Sequence, residues 1–212
     1  MKTKVLHVLP SMGHGGISTV FRALLERADA EGLVFDTIAF IPGPIEDDVR
    51  RQGGVVTYCQ LIKHQGPLRY MRRIRQHILS RGPYAAIHVH RGYHDAFTLL
   101  AAKIAGVPNR VAHSHASNVE IASHRWLLPV LHPLLVACST HRLACSHEAG
   151  IFAFGTSTFE VFKNALDPAR FSCEHQAQRA KIRRQLGLSE ETLVMCTVGR
   201  LSPVRESCSC CR

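Results

Sequence analysis

Apolar runs of strand length alternate along this chain with segments whose apolar residues recur every three or four positions, the pattern of parallel strands joined by crossover helices. The first run is Val5-Leu6-His7-Val8-Leu9, closed by Pro10 and a glycine cluster. A helix expected over Ile17–Ala28 places Ile17, Val20, Phe21, Leu24, Leu25 and Ala28 on one face. Further strands are expected over 34–41, 55–59, 85–90, 110–113, 142–145, 159–162 and 192–198, with helices over 45–51, 67–80, 93–105 and 176–186. In the 67–80 helix, Leu68, Met71, Ile74 and Ile78 share a face. The apolar stretch Trp126–Cys138, interrupted by Pro129 and Pro133, receives no element. The predicted fold class is therefore α/β, a parallel sheet with helices on both faces. Ligands of such sheets lie at the carboxyl ends of the strands. That rule selects Pro10–Gly16, His88–His94, His113–Asn118, Ser146–Glu148, Asn164–Asp167 and Gly199–Arg205.

Charge says what kind of ligand to look for. A net charge of +10, carried mostly by arginine, favours anionic partners. Nucleic acid is not expected, because no aromatic residues interleave with the basic run to form a stacking platform. The basic helix 68–81 reads either as a solvated helix on the outside of the sheet or as a surface for anionic lipid. No secretory apolar region follows the basic start, and Trp126–Cys138 is short of the ~20 residues that cross a bilayer. A cytoplasmic, reducing setting is expected, with the scattered cysteines acting as small buried hydrophobes.

Gly13-His14-Gly15-Gly16 lies between the first strand and first helix, where backbone N–H groups can meet a phosphate. A tight turn without ligand is the plainer alternative. As a dinucleotide fingerprint the cluster lacks its last glycine, and no acidic residue closes the second strand, so NAD is not expected; no P-loop occurs either. The spacings His88-Val-His90 and His113-Ser-His115 each put two rings on one strand face, as a metal pair requires. Only Asp95 stands near them as a further ligand, and there is no D-x-D to hold a divalent ion on a diphosphate. The expectation is no metal and no cofactor, the histidines lining a cleft. Neither G-x-S-x-G nor a pair of acid and base carboxylates supports hydrolysis.

Taken in order, six blocks resemble the amino-terminal half of a family 4 retaining glycosyltransferase of the capsular or exopolysaccharide kind. They are His7–Ile17, Ile87–His90, Ala112–Asn118, Leu143–Ser146, Val161–Phe171 and Val198–Val204. The resemblance implies a GT-B architecture, two Rossmann-like domains facing across a cleft, and transfer of a hexose from a nucleotide-sugar to a sugar or lipid-linked acceptor hydroxyl. It also implies roles by position. Gly15 and Gly16 would border the donor phosphate and acceptor, and His115 would contact the donor sugar near the reacting carbon. Arg200 and Arg205, the latter usually lysine in the family, would be the cationic pair on the donor diphosphate. Asn164 would be the hinge asparagine. A departing nucleoside diphosphate can be stabilised by such fixed cations and N–H groups without a metal.

The family pattern continues into a donor-binding domain, whereas six Cys/Ser-rich residues follow Glu206 here. The expected organisation is an amino-terminal Rossmann-like domain over 1–190, the first strand and loop of a donor domain over 191–206, and an atypical tail over 207–212. Such a chain is expected to be inactive alone. The competing class is a non-enzymatic module that binds anions or lipid phosphates at a membrane surface.

Overall fold

The structure, a computed structural model, describes residues 2–116, 126–164 and 176–195. The chain divides into two compact units, residues 1–165 and 166–212. The first contains seven parallel strands: β1 (Thr3–Leu9), β2 (Leu33–Ala39), β3 (Val56–Tyr58), β4 (Ala86–Val89), β5 (Asn109–Ser114), β6 (His141–Ala144) and β7 (Glu160–Val161). Their order across the sheet is β3-β2-β1-β4-β5-β6-β7, so β1 pairs with β2 on one side and with β4 on the other. This is a Rossmann-like α/β fold, and its topological switch point lies between β1 and β4.

Alternation along the strands sorts side chains between two helical layers. Leu6, Val8, Ile87, Val89, Ala112 and Ala144 share one core cluster with residues of α4 (Pro67–Arg81), α5 (Ala96–Ile104), α6 (Leu128–Cys138) and α7 (His147–Phe154). On the opposite face Leu9, Phe35, Ala39 and Val56 pack with Phe21 and Leu25 of α1 (Gly16–Ala28) and Ile45 and Val49 of α2 (Ile45–Arg51). One further turn, α3 (Ile62–Gln65), precedes α4.

Helices α4, α6 and α7 differ from the sequence expectation, each for a local reason. Helix α4 buries Tyr70, Ile74 and Ile78, an i, i+4, i+8 row, while Leu68 is 82% exposed in the first turn. The Pro-interrupted stretch is helix α6: Pro129 sits in its first turn, and Pro133 removes one interior hydrogen bond. Burial of Leu131, Leu135 and Cys138 outweighs that loss. Helix α7 begins at Ser146, whose hydroxyl accepts a hydrogen bond from Ala149 N at 3.2 Å, and ends at Gly155 with φ +59°. Cys138 is buried, Cys59 and Cys145 are half-buried, and all three carry free thiols.

The second unit is described only over helix α8 (Gln176–Gln185) and residues 186–195. Arg183 closes it, donating from Nε to Ser189 O at 3.1 Å and from Nη2 to Thr192 O at 2.6 Å. Residues 192–195 of the strand expected over 192–198 have no strand conformation, and the remainder lies outside the described residues. No helix among the described residues is long and apolar enough to cross a membrane.

The turn after β4 is fixed by a buried ion pair. Asp95, with no exposed surface, accepts from Arg91 Nη2 at 2.6 Å, Arg91 Nε at 3.0 Å, Arg91 N at 2.9 Å and Thr98 Oγ1 at 3.1 Å. The guanidinium also lies 4.0 Å from the Phe40 ring centre. Removing one partner strands the other charge in the interior. We predict that Asp95→Ala lowers unfolding free energy by about 3–5 kcal/mol in urea titrations. A loss below about 1 kcal/mol would show that water solvates Arg91.

Candidate functional site

Residues from three strand ends meet at the switch point: the loop after β1, the turn after β4 and the end of β5. The first is held by its neighbour after β2. Met12 N donates to Ile41 O at 2.9 Å, and Ile45 N donates to Met12 O at 3.1 Å. This approach requires glycine at position 43, where a Cβ would lie 2.4 Å from Gly13 N and from the carbonyl carbon of Met12. Gly15 and Gly16 are different: both are exposed, and a Cβ on either would meet nothing within 4 Å among the described residues. They open α1, whose N-terminus has no side-chain cap; the Gly15 carbonyl accepts from Thr19 N and Oγ1 at 2.9 and 3.0 Å. An uncapped N-terminus of this length leaves N–H groups for an anion.

Beside that loop the sheet carries a layer of imidazoles. The α1 face of β1, β4 and β5 presents His7, His88, His90 and His113, and His115 follows β5, so the i, i+2 pairs predicted from the sequence lie on adjacent strands. His7 Nδ1 is 3.3 Å from His90 Nε2, His90 Nδ1 is 3.2 Å from His115 Nε2, and His88 Nε2 is 3.3 Å from His113 Nδ1. Phe21 and Phe35 cover His7 at ring-centre distances of 5.0 and 4.4 Å, and Phe162 stands edge-on to His113 at 5.8 Å. His7, His90 and His113 are buried, whereas His88 and His115 are half-buried. Nε2 of His7 and Nε2 of His113 are buried without a hydrogen-bond partner among the described residues.

Burial dominates the electrostatics of the layer. Desolvation, helped by mutual repulsion, holds His7 and His90 far below the ordinary imidazole range. It pushes His88 down to about 3, His113 to about 2 and His115, through burial alone, to about 4. All five rings are therefore neutral at pH 7, each able to give one N–H and accept at one nitrogen.

Of the residues singled out from the sequence, Gly15, Gly16 and His115 lie at this edge. Arg200 and Arg205 lie outside the described residues, as do Asn118 and Asp167. Asn164 is exposed at the end of the first unit. Asp95, the carboxylate nearest the histidines in sequence, is committed to Arg91. His7 and Gly43 were not picked out as site residues. A histidine amid an otherwise apolar central strand was the available signal for the first, since parallel strands buried on both faces are normally apolar throughout. For Gly43, only the fold reveals the neighbour it must admit.

Comparison with known proteins places this geometry. The model of the glycosyl transferase 4-like domain matches residues 15–150, from the glycine loop to α7. The chain belongs to this glycosyltransferase family. EpsF of Bacillus subtilis (strain 168), a protein that carries the name of a glycosyltransferase, is 31% identical over 95% of this chain and 55% of its own length. Anabaena Alr3699/HepE in complex with UDP superposes with a TM-score of 0.63 at 19% identity, over 88% of this chain and 50% of that one. The UDP-GlcNAc 2-epimerase of Neisseria meningitidis bound to UDP-GlcNAc gives a TM-score of 0.50 at 13% identity, over 87% and 52%. These two likenesses show the fold, half of a GT-B architecture, which serves more than one chemistry. The chain spans about half the length of the relatives it matches.

The neutral histidines make a thermodynamic prediction. An unfolded chain protonates its imidazoles near pH 6.5, whereas the folded layer resists protonation down to about 4 or below. Between those limits the unfolded state binds more protons, so stability is full above about pH 6.5 and falls with pH, by at most about 1.4 kcal/mol per pH unit per ring. Urea unfolding at pH 7.5 and 5.5 is expected to differ by several kcal/mol. A flat profile over that interval would show the layer protonated or solvated when folded.

Proposed function

We propose that this glycosyltransferase 4-like chain is the acceptor-side domain of a retaining hexosyltransferase of polysaccharide or glycoconjugate synthesis, taking a hexose from a nucleotide-sugar to a sugar or lipid-linked hydroxyl. One observation carries the reading: the uncapped, open-sided glycine start of α1 follows β1 and the half-buried His115 follows β5, both at the carboxyl-end edge of the sheet that holds the β1/β4 switch point. The loop can bring N–H groups to a leaving phosphate, and a neutral His115 can hydrogen-bond a sugar hydroxyl without requiring a counter-charge. Arg200 and Arg205 would add the cations that accompany charge development on the diphosphate. The UDP held by the structurally similar HepE supports a nucleotide-sugar donor. No cofactor is required in this scheme.

The organisation proposed is a domain over 1–190, the start of a donor-binding domain over 191–206 and a distinct tail over 207–212. Since these 212 residues span about half of the relatives, the isolated polypeptide is proposed to be inactive. The test is a chimaera in which residues 1–190 replace the matching half of EpsF, assayed with a panel of nucleotide-hexoses beside the 212-residue chain. Transfer is expected from the chimaera and not from the chain alone, and His115→Ala should lower chimaera kcat by about 10² or more. Full activity in that variant, or transfer by the 212 residues unaided, would overturn the assignment.

A second observation bears on location, proposed to be cytoplasmic with peripheral contact at the inner face of the plasma membrane. Helix α4 exposes Arg69, Arg72 and Arg75 together with Leu68 and Leu79, the last 56% exposed. Basic side chains flanking exposed leucines suit an anionic lipid surface, at about 1 kcal/mol per cation. Vesicles of one-third anionic lipid are expected to bind the chain at low salt, and Arg72→Glu with Arg75→Glu to weaken binding by at least tenfold. Absence of salt-sensitive binding to the anionic vesicles would remove the lipid contact and leave α4 a solvated helix.

A further inference from the structure

Among the described residues, two sets of three histidines have one nitrogen each within 4.8 Å of the others: His7, His88 and His90, and His90, His113 and His115. Fourteen histidines in a chain make chance neighbours common, so the argument rests on the arrangement of nitrogens rather than on their number. Two ligands of a tetrahedral zinc ion, each about 2.0–2.1 Å from the metal, stand about 3.3 Å apart. The His90 Nδ1 to His115 Nε2 separation, 3.2 Å, already has that length.

We propose that His90, His113 and His115 form a binding site for a single divalent ion of the zinc class, a site that shares His115 with the sugar-transfer reading and otherwise uses residues to which that reading gives no role. Ring chemistry allows this set, and access selects it over its inner neighbour. If His90 ligates through Nδ1, its proton sits on Nε2, where His7 Nδ1 accepts it at 3.3 Å. If His113 gives its Nδ1 proton to His88 Nε2, also at 3.3 Å, its Nε2 lone pair is free, and that atom is buried without a hydrogen-bond partner among the described residues. His7 and His88 then act as the outer partners that fix tautomer and ring orientation. Each set leaves one buried nitrogen without a partner among the described residues, His113 Nε2 for the inner set and His7 Nε2 for the outer, and the half-buried His115 decides for the outer set. His115, half-buried at the strand end, gives the ion a route in and an open fourth position for water.

An all-imidazole set suits Zn²⁺, Ni²⁺ or Cu²⁺ and not Mg²⁺ or Ca²⁺, whose sites are built from oxygen.

The experiment is equilibrium dialysis of the tag-free 212-residue chain against Zn²⁺ and Mg²⁺, with Co²⁺ loading followed by visible absorption. Expected are one equivalent of Zn²⁺ at micromolar free metal, no Mg²⁺ uptake, and the intense d–d bands of four-coordinate Co²⁺. His113→Asn and His115→Ala should each weaken Zn²⁺ binding at least tenfold, His88→Asn should weaken it about 10-fold or more as an outer partner, and the remote His64→Asn should change nothing. His115 is half-exposed, so its variant tests the site even if the buried variants fail to fold. Absence of uptake, uptake unaffected by His115→Ala, or loss with His7→Asn but not with His113→Asn would each overturn the site. Because dialysis reads metal and not sugar transfer, a negative result leaves the transfer reading standing.

Discussion

The molecule turns on the pairing of β1 with two partners. Because β2 hydrogen-bonds to one side of β1 and β4 to the other, the chain leaves the sheet in opposite directions on either side of one seam, and the loops after β1 and β4 part there. His90 N reaches Val8 O at 3.2 Å, continuing the ladder past the last residue of β4. That extra bond carries His90 into the seam, close enough to His7 for their nitrogens to meet. The glycine loop, the buried Arg91–Asp95 pair and the histidine layer therefore depend on one register: a slip of one residue would turn His88 and His90 to the opposite face and bring Ile87 and Val89 onto theirs.

The two faces of that seam satisfy opposing demands. Toward α4–α7 the sheet offers Leu6, Val8, Ile87, Val89 and Ala112, an apolar layer that stabilises by burial. Toward α1 the same strands offer imidazoles, which burial stabilises far less. Neutrality makes this tolerable, since each ring can be satisfied by another ring and no charge is buried. The arrangement is still incomplete, with Nε2 of His7 and of His113 unpaired among the described residues. An interior that leaves polar nitrogens unpaired beside an open helix N-terminus has sacrificed stability at the edge where function is expected.

Much of the fold was legible because apolar periodicity and packing agree. The expected face of α1 is the one that packs, and α2 has the expected bounds. The failures lie where a local rule met a tertiary one. Leu68 fits the period of α4 but sits in its first turn beyond the reach of the core, so Tyr70 takes the buried row; proline arithmetic in α6 yields to Leu131 and Leu135. Helix α7, apolar around much of its surface, has no period to read, although Ser146 and Gly155 marked its ends. Both histidine pairs were visible as pairs. Their convergence was not, since it depends on β4 and β5 being neighbours in register, a fact of topology.

The glycines show how structure separates two meanings of one residue type. Gly43 is demanded by the fold: its absent side chain leaves the space through which the loop after β2 touches Met12 and Gly13, and larger residues would separate the loops. Among the described residues nothing demands glycine at positions 15 and 16, since a Cβ there meets none of them within 4 Å and neither residue has the left-handed backbone that favours glycine. Helix propensity alone would favour alanine over glycine at Gly16, the first residue of α1. A position where glycine costs stability, relieves no clash and adopts no glycine-specific conformation is best explained by a partner that must come closer to the backbone than a side chain permits. In a chain of the glycosyl transferase 4-like family, at the uncapped start of a helix on the switch-point edge, the partner we propose is a phosphate or sugar of the substrates.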